Sequence, residues 1–136
     1  MTMSSQEARV IAEQLCTELA WRLDHGQAAR AGELFTEDLL FGLAGAQVGR
    51  AVFEQQMAGR AALPFASRHC ISNVRVTRFG EHVIEASSIA LILKSERIDG
   101  EERISTVCGD WNIVARADAE GWRIASLAIV PLRPPE

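Results

Sequence analysis

The chain changes period at Pro64. Before that residue apolar side chains recur at spacings of three and four; after it they follow a strand-like alternation. Those periods belong to different backbones, because side chains repeat every 3.6 residues on a helix and every two on a strand. The break therefore divides the chain into a helical first half and a strand-rich second half. Helices first and sequential strands afterwards is the order of an α+β fold.

In the first half, Ser4 or Ser5 can cap a helix that carries Glu7 in its first turn. Ala8, Ile11, Ala12, Leu15, Leu19 and Leu23 form one apolar stripe, and Asp24-His25-Gly26 ends it. Gln27 to Phe35 reads as a second, shorter helix, Thr36-Glu37-Asp38 as a turn, and Leu39-Leu40-Phe41 as a short strand stopped by Gly42 and Gly45. Gly49-Arg50 opens a third helix that Pro64 keeps from continuing past Leu63. In the second half the expected strands are Ala66–Arg78, His82–Ser95, Arg103–Arg116 and Trp122–Leu132. Turns fall at Phe79-Gly80-Glu81, at Ile98-Asp99-Gly100-Glu101 and at Asp118 to Gly121. Sequential hairpins make a mostly antiparallel sheet. Strands of about 12 residues span roughly 40 Å and must twist and curl. Three helices packed in such a curved sheet predict a cone with a pocket at its wide end.

The chain has 136 residues, which suits one domain over residues 1–136, and 48% of them are apolar, enough for a substantial core. Net charge is -4 with the basic residues scattered, so there is no electrostatic footprint for nucleic acid or for an acidic membrane. The start lacks the basic and apolar regions of a signal peptide. The apolar run Ala86–Leu93 is too short to span a bilayer. Cys16, Cys70 and Cys108 are odd in number and far apart, which predicts reduced core residues in a cytoplasmic protein.

Candidate chemistry centres on Arg68 to Val76. At the start of a strand, His69 shares a face with Ile71 and Asn73, unless a bulge before Val76 shifts the register. His69 reads either as a hydrogen-bonded structural histidine or as an acid-base group. Asp24 sits at the helix's C-terminal end, the unfavourable end for an anion, which is a reason to look for a partner. Read as a pair, the two residues form a carboxylate orienting an imidazole, able to take a proton from carbon and return one. Asp110, with Asn112 on the same strand face, offers a hydrogen-bond donor to a developing oxyanion or else faces solvent or a dimer partner. Trp21 either lines the cavity or packs, as do Trp111 and Trp122, and Trp111 shares a core-like face with Val107 and Ile113. The three histidines, including His25 and His82, make no metal pattern, and the glycines no nucleotide-binding motif. No metal and no cofactor is expected.

Leu23-Asp24-His25-Gly26, Leu34-Phe35-Thr36-Glu37-Asp38, Gly49-Arg50, Arg68 to Val74 and Gly121-Trp122-Arg123-Ile124 fall in an order that resembles the SnoaL-like branch of the NTF2-like superfamily. The resemblance implies a cone-shaped α+β barrel and a homodimer formed through the sheet. It also implies that Asp24 orients His69, with His69 as general base and then acid. The implied activity is that of a cofactor-independent lyase (dehydratase) or isomerase on a small apolar or polycyclic carbonyl or hydroxy compound. Trp21, Asn73, Asp110 and Asn112 would bind the substrate, because the chain has no tyrosine to polarise a carbonyl. The alternatives are a non-catalytic small-molecule-binding or assembly domain, or a small subunit of a larger enzyme.

Overall fold

In the computed structural model, which describes residues 2–136, helix α1 runs Ser5–Asp24. Ser4 and Glu7 close its first turn reciprocally: the Glu7 N–H donates to Ser4 Oγ at 3.1 Å, and the Ser4 N–H donates to Glu7 Oε2 at 2.7 Å. Ala8, Ala12, Leu15, Cys16, Leu19 and Leu23 are buried along one stripe. A 3-10 helix, Ala28–Leu34, stands where the second helix was expected, and α2 spans Arg50–Arg60.

Five strands follow the order β1-β5-β4-β3-β2, with β1 Phe35–Leu43, β2 Phe65–Phe79, β3 Val83–Ile98, β4 Glu101–Asp118 and β5 Gly121–Pro131. The last four are joined as antiparallel hairpins, whereas β1 pairs with β5 in parallel. Asp99 and Gly100 both have positive φ in the tight turn between β3 and β4, the conformation an Asp-Gly hairpin requires. The core is one cluster between the helices and the inner sheet face, where Leu19, Phe53, Ile84, Ile124 and Leu127 are fully buried. Phe35, Phe41 and Phe53 meet with ring centroids 4.8 to 6.1 Å apart.

The structure corrects the expected cone. The sheet is mixed and open: it neither closes nor curls strongly, and β1 and β2 remain its two edges. Closing a barrel requires edge strands with a matching tilt and stagger. Here β1 is short, breaks register between Phe35 and Leu40, and bridges Val48 through Phe41. Thr36-Glu37-Asp38 is not a turn but part of β1, whose polar side chains sit at an exposed edge. Arg50 anchors this segment by donating to the carbonyls of Gly32, Phe35, Thr36 and Glu37. Gly32 makes room for that contact, since a Cβ there would stand 3.0 Å from Arg50 Nη1.

Other expectations also shift. Asn73 adopts φ 55° where the β2–β3 register breaks between Ser72 and Arg75. The bulge turns Val74 and Val76 towards the helices, where they pack against the core rather than facing outward. Of the cysteines only Cys16 is a core residue, and burial pushes its thiol up to about 11; Cys70 is exposed and Cys108 half-buried. Trp111 and Ile113 are core, but Val107 on the same face is 56% exposed.

Candidate functional site

Helix α1 delivers Asp24 to the start of β2, and the pairing of β2 with β3 turns Ser67 and His69 to the inner face. Three donors then converge on one carboxylate. The backbone N–H of His69 donates to Asp24 Oδ2 at 2.6 Å, and Ser67 Oγ donates to Oδ1 at 2.8 Å. The ring Nδ1 of His69 lies 2.6 Å from the same Oδ1. Both side chains are nearly sealed from solvent, 6% exposed for His69 and 4% for Asp24.

Electrostatics assign the charges. Burial alone would raise the Asp24 carboxyl, but the hydrogen bonds from His69 and Ser67 outweigh it and hold it below the ordinary carboxylate value. For His69, burial dominates and lowers the imidazole below its usual value despite the hydrogen bond and charge of Asp24, with Arg60 adding a smaller push in the same direction. The pair rests as a carboxylate and a neutral imidazole. A carboxylate accepting from Nδ1–H leaves the Nε2 lone pair free, which is the tautomer of a general base. The His69 ring stands 5.7 Å from that of Trp111, itself buried.

Arginines fasten the same corner. Arg60, the last residue of α2, donates to the Leu23 carbonyl at 3.3 Å and to Ser67 Oγ at 3.0 Å. Arg68 donates to the Asp24 carbonyl at 3.3 Å and to that of Ser67 at 2.7 Å. These bonds satisfy carbonyls that a helix end leaves open. A cavity of about 290 Å³ opens beside them, lined by Asp24, Arg60 and Ser67 together with Leu23, Met57 and Phe65, but not by His69.

The structure brings together Asp24 and His69, and none of the other four candidates joins them. Trp21 is 51% exposed and stacks on His25 at 4.7 Å, so it neither packs in the core nor borders this cavity. Asn73 is exposed at its bulge, while Asp110 and Asn112 are exposed on the outer sheet face, paired across β3 with Ile89 and Ser87. Sequence reasoning missed Ser67 and Arg60. Ser67 was within reach of it, being two residues before His69 on the same strand face. Among the described residues, no three His, Cys, Asp or Glu side chains gather as metal ligands would, and no helix is long and apolar enough to cross a membrane.

Helices laid on one face of an open mixed sheet, with a carboxylate and an imidazole joined where the first helix ends, place the chain in the NTF2-like class. Within that class it belongs to the SnoaL-like family: residues 5–128 match the SnoaL-like domain. Solved structures agree on the fold. A proposed scytalone dehydratase from Novosphingobium aromaticivorans superposes with a TM-score of 0.78 at 15% identity, covering 94% of this chain and 89% of its own. The β subunit of a proposed aromatic-ring-hydroxylating dioxygenase from the same organism gives 0.78 at 16% identity, with 96% and 93% covered. An NTF2-like protein with a cystatin-like fold, also from that organism, gives 0.70 at 21%, with 96% and 85% covered. No curated protein matches the sequence.

Proposed function

We propose that this chain is a cofactor-independent lyase (dehydratase) or isomerase acting on a small apolar carbonyl or hydroxy compound. The observation that supports it best is the Asp24–His69 contact, with Nδ1 2.6 Å from Oδ1 and the other carboxylate oxygen held by the His69 N–H. In this reading Asp24 fixes the tautomer, and Nε2 of His69 removes a C–H proton next to the carbonyl. The imidazolium then returns that proton, to a departing hydroxyl in dehydration or to another carbon in isomerisation. The proposed scytalone dehydratase among the structural relatives, alike in fold, is in keeping with this reading. Because the His69 ring is nearly sealed, substrate reaches Nε2 only when the inner face opens locally.

The test is proton exchange or water loss on a panel of small hydroxy-ketones and enones, followed by NMR in deuterated water. His69→Gln and Asp24→Asn should each slow a turned-over compound by about 10²–10⁴-fold while the fold persists by circular dichroism. Unchanged turnover in His69→Gln would dispose of the mechanism.

A second reading rests on the outer sheet face. Ile89, Leu91, Leu93 and Val130 are each more than a third exposed there, where a one-sided sheet ordinarily shows polar residues. Cys70 and Cys108 flank Leu91 on the neighbouring strands, so the patch is uncharged around Leu91, while Asp110 stands between Ile89 and Val130. We infer that a second copy packs on this face about a two-fold axis. Light scattering should give the mass of a dimer for the native protein and of a monomer for Leu91→Glu; a monomeric native protein would rule the pairing out.

A further inference from the structure

The cavity beside Asp24 has a polar end that the proton-transfer reading leaves unused. Its walls are apolar, drawn from Leu23, Ala28, Met57, Leu63 and Phe65, and its polar residues are Asp24, Ser67 and Arg60. Asp24 is already engaged, both of its oxygens accepting hydrogen bonds from His69 and Ser67. Ser67 is committed as well, accepting from Arg60 and donating to Asp24.

Arg60 differs. It uses Nε and Nη2 on neutral acceptors, and among the described residues Nη1 makes no hydrogen bond and no carboxylate lies within ion-pair distance of the guanidinium. Burial destabilises its charge, and the nearby Asp24 charge offsets this only in part. Arg68 stands close by with two carbonyls as its partners and no ion pair of its own. Lys94, whose ammonium lies 4.4 Å from the Phe65 ring centroid, is already matched by Glu96 at 3.7 Å. The corner therefore holds two guanidinium groups for one shielded carboxylate. A half-buried guanidinium with free donors at the end of an apolar cavity is matched by the planar, two-oxygen geometry of a carboxylate.

We propose that this cavity binds a small apolar carboxylic acid, its carboxylate on the Nη1–Nη2 edge of Arg60 and its hydrocarbon body against Met57, Leu63 and Phe65. A volume of about 290 Å³ lies at the lower end of ligand pockets, so the ligand is monocyclic or a short branched chain rather than polycyclic. His69 is not among the residues lining this cavity, and the binding does not depend on His69 moving a proton.

The experiment is calorimetric titration of the whole chain with benzoate, phenylacetate and hexanoate, each beside its uncharged amide. At least one acid should saturate at one per chain, with its amide binding at least tenfold more weakly. Arg60→Gln should weaken that acid at least tenfold, whereas His69→Gln should still bind it, which separates this site from the catalytic reading. The proposal falls if none of the three acids saturates, if the amides bind equally well, or if Arg60→Gln binds as the native chain does. Should Arg60→Gln not fold, the comparison of acid with amide on the native chain decides.

Discussion

The inner face of the sheet is closed in two ways. Along most of α1 it is sealed by apolar packing, with Ala8, Ala12, Leu15 and Leu19 joining Ile84, Ile113 and Leu127 in one cluster. At the last turn of α1 it is sealed by Asp24, Ser67, His69 and two arginines, joined by hydrogen bonds. The apolar region draws its stability from area removed from water, roughly 25 cal/mol per Å², and cares chiefly about volume. The polar corner depends on each donor meeting its acceptor, because a buried group left without a partner costs more than the bond itself yields. One region can drift in composition and keep the fold; the other cannot lose a member without leaving a polar group short of a partner.

The contrast can be broken first from the apolar side. Phe53 is fully buried against Phe35 and Phe41, so Phe53→Ala should lower unfolding free energy by about 3–5 kcal/mol in urea titration. Acid sharpens it from the polar side. The folded imidazole of His69 sits below its ordinary 6.5, so below pH 6.5 the unfolded chain takes up a proton that the folded site refuses. Stability should therefore be full above pH 6.5 and decline as pH falls towards the folded value. A second loss should set in below 3.8, where Asp24 is depressed in its turn. His69→Gln should flatten the first decline and leave the contribution of the apolar core unchanged, as urea midpoints measured across the acid range would show. Smallest is the effect of Trp21→Ala. The indole is half exposed and stacks only on His25, so the change should move stability by less than about 0.5 kcal/mol.

Much of this architecture was legible in the sequence, because Pro64 separates two unmistakable periods and the Asp-Gly turn fixes one hairpin. What escaped were features set by geometry between distant residues. Thr36-Glu37-Asp38 looked like a turn because an edge strand with one face in water carries the same polar residues. The open sheet looked like a cone because closure depends on strand stagger, which no local pattern records. The bulge at Asn73 shifts the register of β2, so strict alternation from His69 does not tell which face Val74 and Val76 take. Asp24 and His69 are 45 positions apart, so no spacing marks them as a pair; the unfavourable helix end suggested a partner for Asp24, and the family resemblance implied the same pairing. Ser67 lay on the face already attributed to His69, and Arg60 at a helix end where a basic residue needs no special role.

The parallel pairing of β1 with β5 also imposes a sequence of events. Phe35 lies opposite Ile124, and Leu43 opposite Ile129, so β1 has no neighbour in the sheet until the last strand exists. On the ribosome, where the chain emerges from its N-terminus, the hairpin of β2 and β3 can meet α1 well before then. The corner that holds Asp24 can assemble early, while Phe35, Leu39 and the rest of β1 wait for long-range contacts with the last strand, a slow kind to form.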